Sequence, residues 1–384
     1  MSTELTYAMI GGGIGANIGH VHRRAIALDG RARLVAGALS STPERSAESA
    51  KELGLESDRS YGTYQELIEL ESNREDRVGF VSIVTPNDTH YPIAKMALEH
   101  GFHVVLDKPA THTSVQAQEL SELAKSKGLV CCVTYNYTGY PMIRQARAMI
   151  QDGVLGNIRK VFLEYHQDWL ATDLESQGHK QASWRVDPAM AGLGGALGDI
   201  GTHAENLISF VTGLSMESLY ANLHAFVPGR ALDDDVSVMI RYNGGAHGVL
   251  TASQVCIGES NGISLRIYGD QGGLVWYQDS ANDLRVTKIG ANPVIYTRSG
   301  PGLHADAIVS SHTPPGHPEG YLEAFSNIYR GAIDQILSLG SGGESANLSR
   351  LAELIPGMND GAQGVRFVEK CVESAKKNTQ IYWA

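Results

Sequence analysis

Three short stretches of this chain carry residue types whose spacing suits chemistry better than folding. Asp107-Lys108-Pro109 closes a short apolar run over 102–106. Proline removes a backbone donor and fixes φ, so the strand stops and the lysine is held at the sheet's edge. Open α/β sheets bind ligands at the carboxyl ends of their strands, and a cation fixed there can stabilise a developing alkoxide or hold a substrate oxygen. Gly198-Asp199-Ile200-Gly201-Thr202-His203 opens an apolar helical stretch. Residues four apart share a helix face, which points Asp199 and His203 into one cleft. Histidine suits proton transfer near neutral pH, and a nearby carboxylate raises its basicity and restrains its ring. A metal on this pair needs a third ligand, and none is placed for it, so no metal is expected. The third stretch is a glycine turn, in which Gly11, Gly13 and Ile14 are expected to bring a pyrophosphate against backbone N–H groups at a helix N-terminus. Ala16 stands where a third glycine is usual, and Gly15 and Gly19 leave the loop geometry open.

These residues need elements to position them. The first third alternates strand and helix signals: a strand over 7–10 into the glycine turn, then strands over 33–38, 80–84, 102–106 and 129–134. Between them lie helical patterns, one opened by Thr42-Pro43-Glu44 with a cap and an early proline. Such alternation predicts parallel strands joined by crossover helices. After about 135 the rhythm changes to alternating runs over 161–165, 236–242, 248–255 and 263–269, separated by glycine-rich turns, with helical segments at 319–337 and 361–377. Hairpin-linked strands predict a mostly antiparallel sheet. The expected fold is α/β: a dinucleotide-binding Rossmann domain with a doubly wound parallel sheet over 1–135, then an α+β domain with a large, mostly antiparallel sheet over 136–384.

A net charge of −11 over 384 residues, without a basic run, argues against nucleic acid. No apolar run approaches the roughly 18–20 residues of a membrane span, and the first residues lack a signal-peptide pattern, which points to the cytoplasm. Cys131, Cys132, Cys256 and Cys371 show no metal-ligand spacing and are expected as reduced thiols. At the tip of the second strand an acid would bind the adenosine ribose. This chain has Ser40 and Ser41 there, with Arg45 one turn on, groups that suit a 2′-phosphate. The cofactor is therefore NAD or NADP.

The three stretches, in this order, resemble the Gfo/Idh/MocA family over essentially the whole chain. Its usual Glu-Lys-Pro stands here as Asp107-Lys108-Pro109, and its Asp-x-Gly-x-His as Asp199 to His203. Thr85-Pro86-Asn87 with His90 is similar to a further family segment, and Trp184-Arg185 to another. The loop between Gly13 and His22 is longer than the family form. The resemblance implies an NAD(P)-dependent dehydrogenase that reversibly oxidises a secondary hydroxyl of a sugar, sugar derivative or cyclitol. His203 would be the general base, Lys108 the alkoxide stabiliser, and Asp199 the group that orients His203. Thr85, Pro86, Asn87, His90, Asp107, Lys108, Trp184 and Arg185 would meet the cofactor. For substrate contacts, Tyr135 and Tyr137 follow the fifth strand and His166 and Trp169 end the first strand of the second domain. Arg185 and His317 complete that set. Asp233-Asp234-Asp235 reads as a solvated turn. An open sheet face implies a homodimer or homotetramer. Two other readings stand beside this one: a glycosidase that uses bound NAD for transient oxidation and elimination, and a non-catalytic dinucleotide-sensing module.

Overall fold

The structure is a computed structural model and describes residues 4–340 and 350–383. The chain forms two compact units. The first comprises Met1–Thr111, Val115–Gly139 and Tyr321–Ala362. Its sheet has five parallel strands: β1 (Leu5–Gly11), β2 (Ala32–Ala38), β3 (Phe80–Val84), β4 (His103–Leu106) and β5 (Cys131–Val133). Their order is β2-β1-β3-β4-β5, so the winding reverses between β1 and β3, where open α/β sheets bind nucleotides. All five residues of β3 are buried, as expected of a parallel strand covered on both faces. Helix Tyr321–Gly340 supplies Phe325, Tyr329 and Ile333 to the core that holds Met9, Phe80 and Val105. The single division expected at 135 is therefore corrected to two discontinuous units, because the apolar stripe of this late helix is buried in the first unit's core.

The second unit comprises His112–Ser114, Tyr140–Gly320 and Gln363–Ala384. Its nine strands are β6 (Ile158–His166), β7 (Met216–His224), β8 (Asp235–Tyr242), β9 (His247–Ser253), β10 (Gly262–Gly269), β11 (Gly272–Tyr277), β12 (Asp283–Lys288), β13 (Val294–Thr297) and β14 (Ile381–Tyr382). The order is β13-β12-β11-β10-β6-β9-β8-β7-β14, and every neighbouring pair is antiparallel except β6 with β9. Along β8, Val236, Val238, Ile240 and Tyr242 are buried while Ser237, Met239 and Arg241 are exposed. That period of two marks a sheet with one covered face. Helices Pro141–Gln151 and Thr202–Thr212 pack on it.

Candidate active site

In the first unit, β1 ends in Gly11 and Gly12, both with positive φ (82° and 75°), which turns the chain sharply into helix Asn17–Asp29. A Cβ on Gly19 would lie 2.3 Å from Cα of Gly12, so Gly19 is the residue that lets the helix approach the turn. The helix starts without a side-chain cap at Ala16 and without an acid in its first turn. Its open N–H groups and the positive end of its dipole fit an anionic diphosphate. The N–H groups of Gly13 and Ile14 are spent inside the protein, on Leu39 O at 3.0 Å and Ser49 Oγ at 3.1 Å. Their expected role therefore narrows to shaping the turn. Past the tip of β2, Ser41 and Arg45 are exposed and Ser40 half-buried.

After β3, the Thr89 hydroxyl donates to Thr85 Oγ1 at 2.7 Å and ties down the Thr85-Pro86-Asn87 turn, in which Asn87 is buried. His90 is fully buried, with Nδ1 2.8 Å from Pro109 O and Nε2 2.9 Å from Thr85 O. It clamps the turn after β3 to the turn after β4. Both ring nitrogens face backbone carbonyls, so His90 is corrected from a cofactor contact to a positioning residue.

Lys108 is the second residue after β4, and its peptide bond to Pro109 is cis. Asp107 Oδ1 accepts the Lys108 N–H at 2.9 Å and the Thr134 hydroxyl at 2.9 Å, which pins the lysine turn to the residue after β5. Behind it lies a buried polar chain. His22 Nδ1 is 2.6 Å from Tyr329 OH, which is 2.8 Å from Ser82 Oγ. His22 Nε2 lies 3.8 Å from Asp107 Oδ1 and has no hydrogen-bond partner among the described residues. Burial, opposed by the Asp107 charge, lowers the His22 pKa to about 4. The ring is neutral near pH 7, so its approach to Asp107 is not a salt bridge. Tyr135 and Tyr137 are 1% and 4% exposed, and the Tyr137 ring packs against Tyr321 at 6.4 Å. The structure places both in the interior, a correction to their expected role as substrate contacts.

In the second unit, Leu197–Gly201 forms a π-turn that runs into helix Thr202–Thr212, with the Thr202 N–H on Leu197 O. The sequence predicted a plain α-helix here. Such turns widen a helix and recur at functional sites. Asp233 holds the entry to this turn: Oδ1 accepts from Gly195 N at 2.9 Å and Oδ2 from Leu197 N at 2.7 Å. Burial pushes its pKa up to about 6 against the pull of those donors. Asp234 is buried too and accepts from Phe226 N, Val227 N and Arg230. Asp233 and Asp234 are thus structural acceptors, and the solvated-turn reading is corrected.

Asp199 Oδ2 accepts from Arg185 Nε at 3.2 Å and from Gln254 Nε2 at 2.9 Å. The Arg185 guanidinium lies 4.2 Å from the ring centroid of Trp184 and 5.6 Å from that of Trp169. His203 is buried, its ring 6.4 Å from that of Tyr165. His166 Nε2 is 2.9 Å from Thr251 Oγ1, and His317 stands on an exposed loop. The unit therefore brings Asp199, Arg185 and Trp169 together. Gln254 was missed from sequence. A polar residue just past the end of β9 was the available signal. Among the described residues no cluster of three or more His, Cys, Asp or Glu could hold a metal ion, and all four cysteines are free.

Comparison with known proteins gives a consistent picture. Residues 5–135 match the family model described as "Oxidoreductase family, NAD-binding Rossmann fold", and residues 143–275 match the "GFO/IDH/MocA C-terminal domain". An uncharacterized oxidoreductase of Bacillus subtilis (strain 168), YfiI, is 35% identical over 99% of this chain and 96% of its own length. The crystal structure of an inositol dehydrogenase homolog complexed with NAD+ from Azotobacter vinelandii superposes with a TM-score of 0.93 at 36% identity, covering 99% of this chain and 98% of that one. Levoglucosan dehydrogenase in complex with NADH and levoglucosan superposes with a TM-score of 0.81 at 28% identity, covering 98% of both chains.

Proposed function

The chain belongs to the Gfo/Idh/MocA family of oxidoreductases with an NAD-binding Rossmann fold, and from that premise we propose that it oxidises a secondary hydroxyl of a sugar, sugar derivative or cyclitol to a ketone, reversibly, with NAD. When bound, NAD supplies the hydride acceptor. The turn from Gly11 to Ile14 would set the uncapped start of helix Asn17–Asp29 to receive the diphosphate. Ser40, Ser41 and Arg45 would meet the adenosine ribose. Thr85, Pro86, Asn87, Trp184 and Arg185 would complete the cofactor contacts.

His203 removes the hydroxyl proton. The Lys108 ammonium donates a hydrogen bond to the same oxygen and favours its anionic form, a charge stabilisation that acts most strongly as the alkoxide develops. Asp199 orients His203 and receives a neighbouring hydroxyl. His166, Trp169 and Arg185 contribute further substrate contacts. The observation that carries the reading is the pinned lysine. The backbone that carries a lysine is fixed at the carboxyl end of a parallel strand by an acid whose one oxygen accepts both the Lys108 N–H and the Thr134 hydroxyl. The protein is also proposed to act as a homodimer or homotetramer through the exposed face of its large sheet.

The test is a panel of myo-inositol, levoglucosan, D-xylose and aryl glycosides with NAD+ or NADP+, read by reduced-nicotinamide absorbance. Reduction of NAD+ by a polyol, reduced at least about 100-fold in Lys108→Ala with NAD affinity kept, is the expected result. Aglycone release without net reduction would establish the glycosidase chemistry instead. NAD binding with neither reaction would leave a sensing module.

A further inference from the structure

Five side chains of the second unit, Asp199 among them, close a ring. The indole N–H of Trp169 donates to Oε1 of Gln167 at 3.0 Å. An indole nitrogen can only donate, so this bond decides which end of the Gln167 amide faces it. The same Oε1 accepts from Nε2 of Gln254 at 3.3 Å, and the other hydrogen on that nitrogen goes to Oδ2 of Asp199 at 2.9 Å. Turning the Gln254 amide over would set its carbonyl against a carboxylate and a second carbonyl, so its orientation follows from the indole. Arg185 Nε meets Oδ2 of Asp199 from the other side at 3.2 Å, and its guanidinium lies over the Trp169 ring at 5.6 Å. That contact closes the ring. Gln254 is 1% exposed. Burying an amide costs free energy unless its hydrogens are used, and here one goes to the Asp199 carboxylate and the other to Gln167 Oε1.

We propose that Gln254 is a positioning residue for the alcohol oxidation. Its amide, aimed by the Trp169–Gln167 pair, fixes the Asp199 carboxylate in one orientation, with Arg185 as the opposing clamp. The inference rests on the reading that Asp199 and His203 serve the chemistry, and it adds three residues that act through Asp199. It also explains the place of Trp169: its ring face holds the arginine and its N–H sets the amide chain, so one side chain controls both donors on the carboxylate.

The test uses Gln254→Leu and Gln254→Glu in the full-length protein, with NAD+ and with myo-inositol and levoglucosan as probes. Leucine removes both donated hydrogens at similar volume. Glutamate donates to Asp199 when protonated, as the amide did, and repels it when ionised. Two carboxyl groups this close share a proton, so the substitution makes the hydrogen bond depend on pH. The kcat of Gln254→Leu should fall about 30-fold relative to wild type at every pH between 6 and 9, as expected for a misplaced reacting group. That of Gln254→Glu should fall roughly 100-fold at pH 9 and return to within about threefold at pH 6, with KM for NAD+ unchanged in both. Acid rescue is not produced by a loss of packing.

A second arm needs no substrate. Of the four tryptophans, Trp169 gives the indole N–H resonance that Trp169→Phe removes from a ¹⁵N-labelled spectrum. That resonance should titrate in Gln254→Glu and stay constant in wild type over the same range. Unchanged kcat in both Gln254 variants, alongside an inactive Lys108→Ala, would overturn the role of Gln254 alone. An active Lys108→Ala would overturn the functional reading instead. Should neither polyol turn over, an indole signal that does not titrate in Gln254→Glu would overturn the ring.

Discussion

His22 shows how burial outweighs a neighbouring charge. Its unfolded imidazole titrates near 6.5 and its folded one near 4, because removal from water opposes the charged form more than Asp107 favours it. Between those values the unfolded chain holds the extra proton. The stability contributed by the neutral ring is therefore complete above about pH 6.5 and lost as pH falls through 4, at most about 3 kcal/mol. Asp233 works in the opposite direction: its raised pKa gives the folded chain the extra proton between about 4 and 6, so its ionisation costs stability as pH rises. In thermal melts the advantage of wild type over His22→Gln should shrink as pH falls from 7 to 4. A gap that does not change with pH would show that the ring is not held neutral. At this scale residue type alone is what proposes chemistry for Lys108, Asp199 and His203. The sequence was not legible for His90 or Gln254, whose roles come from which atoms the fold sets beside them.

Elements position these residues through a few close approaches. Gly19 and Gly12 let helix Asn17–Asp29 meet the turn after β1, and a methyl group on Gly19 would have to displace backbone. Gly19→Ala should therefore weaken NAD binding at least about tenfold by moving the helix N-terminus away from the diphosphate. A fluorescence titration with NADH giving wild-type affinity would contradict that geometry. In the second unit, Asp233→Ala leaves the N–H groups of Gly195 and Leu197 without their acceptor. A loss of about 2–4 kcal/mol is expected in denaturant unfolding. The kcat should also fall at temperatures where the variant stays folded, since the π-turn carrying Asp199 loses its anchor. Full activity in the folded variant would separate Asp233 from the site. The strands were readable because glycine and proline punctuate them, at Gly11, Pro86 and Pro109. The π-turn was not, since Gly198 and Gly201 permit it without requiring it. Nor was the burial of Asp233 and Asp234, because charge belongs to the residue whereas burial depends on the fold.

For the whole molecule, the exposed row of Ser237, Met239 and Arg241 on β8 belongs to a nine-stranded sheet whose other face is covered. Light scattering at micromolar concentration should give the mass of a dimer or tetramer, and Met239→Glu should lower it. A monomeric wild type would leave that face with another purpose. The late helix Tyr321–Gly340 shows the limit of sequence at this scale: its apolar stripe reveals that it is buried, but not that it returns to the first unit. Lys108 and His203 lie in different units, and the proposed chemistry has both act on one hydroxyl. A double-mutant cycle tests this most directly, with kcat measured for Lys108→Met, His203→Gln and the double variant on the polyol that turns over fastest. Groups that act as a unit are strongly non-additive. Each single substitution should cost roughly 10²–10⁴-fold, and the double should cost about as much as the worse single. Costs that multiply would show two independent roles, and near wild-type turnover in either single variant would contradict the shared hydroxyl outright.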